Sequence, residues 1–271
     1  MNADNYFIKR KPVNAFLATL VDYYFHIDIS VSQLGFIQET VIPFPRLNFL
    51  YFFNHPFLVT NHTLNESVAL NMAISRITTD QITIQPQTEW VKIIGAHIHP
   101  HCLAYFTKQP VHKMPWLVNT IDLFGKIATD FQKRIENCSQ VDQLFNEVEK
   151  VFLDNILVRD LSLITAAIEL IEKSAGDIQI AELSTQLTVS DRTIRTHFHD
   201  HVGCSPKEFT RLVKLKQIAF QMKHSGNSLT AIAYDNNYFD QAHFIHEVKN
   251  LTGRSPKNLK KEIPDFRFLQ F

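Results

Sequence analysis

The sequence predicts an α+β protein: a β-rich barrel or sandwich domain with two following helices, then an all-α domain of two helix-turn-helix units joined by a long helix. Short alternating or aromatic segments fill the first hundred residues, whereas apolar residues recur at helical spacing from Pro115 onward. The stretch GCSPKEF at residues 203–209 returns as GRSPKNL at residues 253–259. Such an echo at fixed distance indicates a repeated unit.

The composition is that of a folded protein with an uneven distribution of charge. Of the 271 residues, 45% are hydrophobic, which is enough for proper cores. The formal net charge is zero, yet residues 1–175 carry 14 basic and 17 acidic side chains, while residues 176–263 carry 12 and 9. This C-terminal surplus permits nucleic-acid binding without demanding it. The three cysteines form no CxxC pair, and the N-terminus lacks the charged-then-apolar order of a signal peptide. We therefore predict a cytoplasmic protein that makes no membrane contact.

The β-rich region is expected to contain antiparallel strands separated by Asn, Pro, Gly and Ser. The candidate strands are LVDYYFHIDI, GFIQETVI, RLNFLYFF, FLVTN, QITIQP and WVKIIGAHIH. Two helices are predicted to follow, one with apolar residues at Leu117, Ile121, Phe124, Ala128, Phe131 and Ile135, the other with its stripe between Val141 and Phe152. One interpretation is that the two stripes cap the sheet or pack on each other. The other is that the heptad-spaced stripe also supplies the seam of a homodimer. A further helix is predicted from about Asp160 to Lys173.

The repeated stretch predicts the end of one helix and the start of the next. Gly203 and Gly253 suit the left-handed position just past a helix end, where a side chain costs energy. Two residues later, Ser205 and Ser255 each precede a proline, and serine followed by proline is typical of an N-cap and first helical position. Glu208 completes a capping box in the first copy.

Each joint follows a helix-turn-helix pattern. The second helix of each pair is expected to begin after Ser190 and after Asp240, and the first helices are AELSTQL and SLTAIAYD. Copies of the second helix lie 50 residues apart but copies of the first only 49, so the second turn is one residue longer. Asn237 in that turn is expected to take a positive φ. The long helix from Pro206 to about His224 is predicted to join the two units.

This doubled pattern, LS…SDRTI…F…G-x-SP followed by IA…NYFD…F…K…TG-x-SP, resembles the C-terminal DNA-binding domain of the AraC/XylS family of bacterial transcription regulators. The resemblance implies that both second helices enter the major groove of double-stranded promoter DNA about one helical turn apart. It further implies a regulator that contacts RNA polymerase and is controlled by a small-molecule effector or partner acting on the N-terminal domain. We expect an activator, with a repressor as the alternative. We predict a β-rich regulatory domain over residues 1–158, a DNA-binding domain over residues 159–263 and a tail over residues 264–271.

Side-chain chemistry assigns roles within the two second helices. Arg192 and Arg195 suit guanine, Gln241 suits adenine, and Thr196, Ala242 and Ile245 suit thymine methyls, while His246 is ambiguous. The cations near helix ends are expected to contact phosphates: Lys207, Lys249, Arg254 and Lys257. Any one of these groups is alternatively a solvated surface charge. The family often has arginine where this chain has Thr196 and His246, and the second unit offers Ala242 and Ile245 at the positions that match Arg192 and Arg195. The first unit is therefore expected to carry more of the base recognition.

The segment GAHIHPHC is the main alternative feature. Its three histidines, His97, His99 and His101, would share one face of a strand, similar to the HxH of metal-binding cupins. No acidic residue follows at short distance and Pro100 interrupts the strand, so we predict neither a metal nor another cofactor. The N-terminal segments also resemble the β-rich, cupin-like domain of one AraC subgroup. Motifs of common hydrolases and phosphate loops are missing, so no enzyme is predicted.

Two alternatives to a transcription regulator are considered. One is a cupin-like metal-binding protein or enzyme with an accessory DNA-binding domain. The other is an interaction module whose second unit no longer binds DNA.

Overall fold

The computed structural model describes residues 6–34, 37–53 and 57–262. Its N-terminal half contains two antiparallel sheets. The larger has the strand order β1-β2-β9-β4-β7-β10 and the smaller the order β3-β8-β5-β6. The strands are β1 Phe7–Arg10, β2 Val21–Ser30, β3 Glu39–Val41, β4 Leu47–Phe52, β5 Phe57–Asn61, β6 Glu66–Leu70, β7 Met72–Ser75, β8 Ile82–Pro86, β9 Trp90–Ile98 and β10 Leu117–Asn119.

All six candidate segments contain strands, although residues 35 and 36 of GFIQETVI, like the predicted tail, lie outside the described residues.

The two sheets face each other as a sandwich. Alternate residues of β2 and β9, such as Phe25 and Ile93, turn towards the small sheet and pack with Phe57 of β5. Gly95 permits this packing, because a Cβ there would lie 2.4 Å from the ring of Phe25. The opposite face of the large sheet, including Phe49, belongs to the main core that continues into the helices.

The helices that follow the sheet cover that opposite face: α2 Thr120–Phe124, α3 Lys126–Glu136 and α4 Val141–Leu153. The short α1, Val31–Leu34, comes earlier, and its Val31 packs with the cluster between the two sheets. Phe131 of α3 and Phe152 of α4 both pack their rings on Phe49, with centroids 6.0 and 5.2 Å away. The apolar stripes of α3 and α4 are thus buried against the sheet within one chain, as the packing alternative expects. Homodimerisation stays a prediction.

The predicted first helix was wrong at its start. Residues Leu117–Asn119 form β10, which pairs with β7. The helix begins only after Asn119, whose side chain caps α2 by accepting from the backbone N–H of Ile121. Gly125, with φ +55°, then separates α2 from α3. The periodic apolar residues therefore belong to a strand and two helices instead of one helix.

The C-terminal half is helical: α5 Ser162–Lys173, α6 Ile180–Gln186, α7 Asp191–His201, α8 Pro206–His224, α9 Leu229–Asp235, α10 Gln241–Thr252 and α11 Pro256–Glu262. Both repeated joints are confirmed, since Gly203 and Gly253 have φ +88° and +71°, and Ser205 and Glu208 form the capping box at the start of α8. None of the helices within the described ranges is long and apolar enough to cross a lipid bilayer.

Candidate nucleic-acid interface

The first unit consists of α6, a tight turn and α7. Thr188 adopts φ +55° in the turn, and the N–H of Val189 returns to the carbonyl of Ser184 across 3.0 Å. Ser190 then caps α7 by accepting from the N–H of Thr193 at 3.1 Å. The turn thereby fixes the N-terminus of α7, the end that presents side chains to bases in helix-turn-helix proteins.

The two faces of α7 differ as predicted. Ile194 and Phe198 are buried, whereas Arg192, Arg195 and Thr196 are exposed. Two guanidinium groups and a hydroxyl therefore project from one solvent-facing surface, which suits hydrogen bonding to base edges and phosphates.

The second unit, α9 and α10, repeats this geometry. Asn237 has φ +58°, as predicted, the N–H of Tyr238 returns to the carbonyl of Ala233 at 3.0 Å, and Asp240 caps α10 by accepting from His243 at 2.7 Å. The predicted base-contacting residues Gln241, Ala242, Ile245 and His246 are all exposed. The polar ones already have partners, because Gln241 donates its amide to Thr230 and His246 lies 3.2 Å from the amide nitrogen of Asn250.

Helix α8 holds the two units together. Its apolar residues Phe209, Leu212, Val213, Ala219 and Met222 are buried, as predicted. Arg211 of α8 forms a 2.5 Å ion pair with Glu247 of α10, and Asp177, before α6, accepts from Asn237 in the second turn at 2.6 Å. A groove of about 830 Å³ separates the units, and Arg195 and Lys207 contribute to its walls.

Three of the predicted phosphate-binding cations, Lys207, Lys249 and Lys257, are exposed. Arg254 is partly buried instead, and its Nη2 donates to the hydroxyl of Thr40 in β3 at 3.0 Å. A cation proposed for DNA is therefore bound to the β-rich domain in this conformation, a relationship that no local motif around Arg254 indicates.

Both repeated joints contact the β-rich domain. A Cβ on Gly203 would lie 2.8 Å from Val111 Cγ1 and 2.9 Å from Arg76 Cδ, while the Gly253 backbone lies beside the side chain of Gln81. Close to the first joint, His112 Nδ1 lies 3.2 Å from the carbonyl oxygen of His199. The glycines therefore permit close approach between domains, in addition to ending α7 and α10.

The histidines of GAHIHPHC lie at the same domain boundary. His97 and His99 both contact the carboxylate of Asp22, at 3.0 and 3.1 Å. Burial alone would raise the pKa of Asp22, but hydrogen bonds from both histidines and the charge of Arg46 hold that pKa well below its usual range. The prediction that all three histidines share one face of a strand was wrong, because β9 ends at Ile98 and leaves His99 and His101 beyond it. His101 lies in the turn after Pro100, where its Nε2 lies 3.3 Å from the Thr165 hydroxyl of α5.

Among the residues that the structure describes, no three or more His, Cys, Asp or Glu side chains are arranged so that they could hold a metal ion. The Asp22 carboxylate, which contacts His97 and His99, is instead part of an ion-pair network that connects the β-rich domain to α5. Arg46, 7% exposed at its side chain, binds Asp22 at 2.8 Å and also binds Glu172 of α5. The sequence missed this ion pair because its members are 126 residues apart.

A cavity of about 140 Å³ opens inside the β-rich domain. Apolar side chains from both sheets line most of it, among them Leu50, Phe52, Val59, Ile84 and Trp116. Glu39 adds a buried carboxyl group, and burial raises the pKa of Glu39 to about 7 although the charge of Arg254 opposes this. Such a chamber suits a small, mostly apolar ligand.

Comparison with known proteins gives the C-terminal region a family. Residues 183–262 match the family described as "Helix-turn-helix domain". An uncharacterized HTH-type transcriptional regulator of Haemophilus influenzae is 33% identical over 106 residues, which are 39% of this chain and 36% of that protein. The HTH-type transcriptional activator RhaS of Yersinia pestis is 27% identical over 86 residues, 32% of each chain. The similarity thus spans about a third of the length of these relatives.

Solved structures of ToxT from Vibrio cholerae share the fold along most of the chain. The structure from strain O395 has a TM-score of 0.51 at 12% identity and covers 91% of this chain and 98% of ToxT. A second crystal form has a TM-score of 0.51 at 10% identity, covering 95% and 98%. At these identities the similarity concerns the fold alone, and the predicted α+β fold is confirmed.

Proposed function

We propose that this protein, whose C-terminal region is an AraC-type helix-turn-helix domain, is a sequence-specific DNA-binding transcription regulator. The observation that supports this most strongly is the pair of N-capped helices α7 and α10. Each helix exposes one face to solvent, and α8 holds the two helices in place. Two such helices on one rigid support suit two successive major grooves. The protein acts by binding rather than catalysis, and it activates transcription through contact with RNA polymerase.

Within this function, the first unit supplies most of the base recognition. Arg192 and Arg195 donate to guanine, and Thr196 contacts a neighbouring base edge. In the second unit Ala242 and Ile245 meet thymine methyls, while Gln241 must leave Thr230 before it donates to adenine. The exposed lysines Lys207, Lys249 and Lys257 bind phosphates, and Arg254 joins them only after release from Thr40.

The chain divides into a regulatory domain over residues 1–158 and a DNA-binding domain over residues 159–263. Supporting this boundary, residues 154–161 between α4 and α5 carry no helix or strand. Homodimerisation remains a prediction that the buried stripes of α3 and α4 do not support.

A small-molecule effector occupies the cavity of the β-rich domain. Four residues that line the cavity also contact the DNA-binding domain: Thr40 binds Arg254, the ring of Phe44 lies 5.1 Å from Nζ of Lys216 in α8, Arg46 binds Glu172, and the stem of Arg76 packs beside Gly203. A ligand that displaces these wall residues changes how the DNA-binding domain is held. Its effect is a shift between populations of docked and released conformations.

One ToxT structure, with a TM-score of 0.50 and 10% identity, contains (E)-4-(8-methylnaphthalen-1-yl)but-3-enoic acid. That compound is a practical first probe for the cavity here. We expect it to raise the melting temperature of the full chain, and we expect Val59→Trp, which fills the cavity, to abolish the shift. An equal shift for both proteins would place the ligand elsewhere.

DNA binding itself is tested by selection. The full-length protein is used to enrich duplexes from a random pool, and the enriched duplexes are compared with shuffled versions by gel shift. Enrichment of one sequence motif, with binding that weakens as salt rises, supports the proposal. Failure to enrich any motif, with a folded protein, contradicts it.

A further inference from the structure

The second unit contains an aromatic residue with no counterpart in the first. In both turns a left-handed residue is followed by a donor that returns to the preceding helix: Thr188 and Val189 in the first unit, Asn237 and Tyr238 in the second. In the first unit the N-cap Ser190 comes next, but in the second Phe239 intervenes before Asp240. The additional residue of the longer turn is therefore Phe239.

The insertion places the Phe239 ring in solvent. Phe239 is 91% exposed, whereas the preceding Tyr238 is 7% exposed and contributes to the core. Single exposed apolar side chains are common on protein surfaces, so exposure alone assigns no role. The position of Phe239 does indicate a role. Phe239 directly precedes the N-cap of α10, and this end of the helix faces base edges in helix-turn-helix complexes.

The neighbouring surface of α10 is also apolar. Ala242 and Ile245 are exposed, Ile245 by 46%, and they lie three residues apart on one face of the helix. The polar candidates on this helix, Gln241 and His246, have protein partners, Thr230 and Asn250. The groups at this end of the second unit that are available to DNA without breaking those hydrogen bonds are therefore chiefly apolar.

We propose that Phe239 is a specificity-determining residue that packs on the 5-methyl group of a thymine in the major groove, so that the second unit recognises thymine by apolar contact. The methyl group is the one apolar feature of base edges in that groove, and phenylalanine is among the residues that contact it. This inference rests on the proposed function and adds a residue and a base identity to it.

Uracil substitution tests the contact directly, because it removes the methyl group and leaves the hydrogen-bonding edge unchanged. Thymines in the enriched duplex are replaced by uracil one at a time, and affinities are measured for the wild type and for Phe239→Ser. Ala242 and Ile245 are proposed to meet other thymine methyls, so several positions are expected to respond. We expect one of them to depend on Phe239: there, replacement weakens wild-type binding about 3- to 5-fold, as loss of one buried methyl group implies. At that position Phe239→Ser should bind the thymine and uracil duplexes equally weakly, and Phe239→Leu should keep part of the discrimination.

Phe220→Ser is the matched control, since Phe220 of α8 is 52% exposed and its ring contacts His224 instead of lying at the start of α10. It should retain the wild-type response to uracil. The inference is overturned if Phe239→Ser discriminates thymine from uracil at every position as the wild type does. It is also overturned if Phe239→Ser lowers transcription activation while DNA affinity is unchanged, which would make the ring a protein contact. If the wild type enriches no motif at all, the proposed function itself fails.

Discussion

Arg254 donates a hydrogen bond to Thr40 across 3.0 Å, which ties the segment just after α10 to the wall of the cavity in the β-rich domain. Under the proposed function, DNA phosphate competes with the Thr40 hydroxyl for this guanidinium group. That proposal predicts that docking of the two domains and binding of DNA are opposed at this residue.

Removing the Thr40 hydroxyl should weaken the hold of the β-rich domain on Arg254 and strengthen DNA binding. A hydrogen bond to a charged group contributes about 1.5–3 kcal/mol, so Thr40→Val is expected to raise affinity for the enriched duplex by at least about 3-fold after partial compensation. Thr60→Val is the control, because the Thr60 hydroxyl bonds Ser67 within the small sheet. Unchanged or weaker binding by Thr40→Val, measured by fluorescence anisotropy, would contradict competition for Arg254.

The two units should contribute unequally to base recognition. Arg195→Ala removes an exposed guanidinium and is expected to cost about 1–3 kcal/mol at the enriched duplex while affecting a shuffled duplex much less. Gln241→Ala should cost less, because the Gln241 amide must first leave Thr230. If Gln241→Ala costs as much as Arg195→Ala, the two units recognise bases equally and the expectation is wrong.

Gly203 should be more sensitive to a methyl group than another glycine of the same conformation. Gly203 and Gly226 both have positive φ, but only at Gly203 does a Cβ approach other atoms, Val111 Cγ1 at 2.8 Å and Arg76 Cδ at 2.9 Å. Both alanine variants pay for the left-handed backbone, while Gly203→Ala also overpacks the domain contact, which costs about 1–3 kcal/mol more. Urea denaturation of the two variants measures this difference, and equal losses would show that the joint tolerates a side chain.

Acid should destabilise the chain through His101. Burial is the main cause that lowers the pKa of His101 to about 3, with the charges of His99 and Arg46 adding to it. Since the unfolded residue titrates near 6.5, the unfolded state binds more protons in this window. Stability is therefore present above about pH 6.5 and lost as the pH falls towards 3, by at most about 1.4 kcal/mol per pH unit.

His101→Gln should flatten this dependence, as followed by urea denaturation between about pH 7 and pH 4. The exposed His62 provides the control His62→Gln, which should keep the wild-type slope. Identical slopes for His101→Gln and the wild type would show that another group governs the acid sensitivity.

Local chemistry explains why the helical half was predictable. Glycine, serine and proline at each joint have conformational preferences that act within a few residues, and Ser190, Asp240 and Ser205 cap helices where the pattern indicated. The alternating strands were predictable for the same reason, because one face of each strand is buried.

Long-range relationships were not predictable in this way. The period of apolar residues from Leu117 to Ile135 is helical, yet Leu117–Asn119 pairs with β7, since strand pairing was decided by residues some 40 positions earlier. Arg46 and Glu172, or Thr40 and Arg254, meet only after both domains have folded and docked. Phe239 could be placed in the longer turn from the sequence, but its exposure depends on Tyr238 occupying the core position.

The most direct test of the regulator proposed here is the affinity of the full-length protein for the enriched duplex and for its shuffled version, across about 50–200 mM KCl. We expect the enriched duplex to bind at least about 1,000-fold more tightly at the higher salt concentration, with affinity for both duplexes falling as salt rises. Equal affinity for the two duplexes, or binding that does not respond to salt, would contradict sequence-specific recognition by α7 and α10.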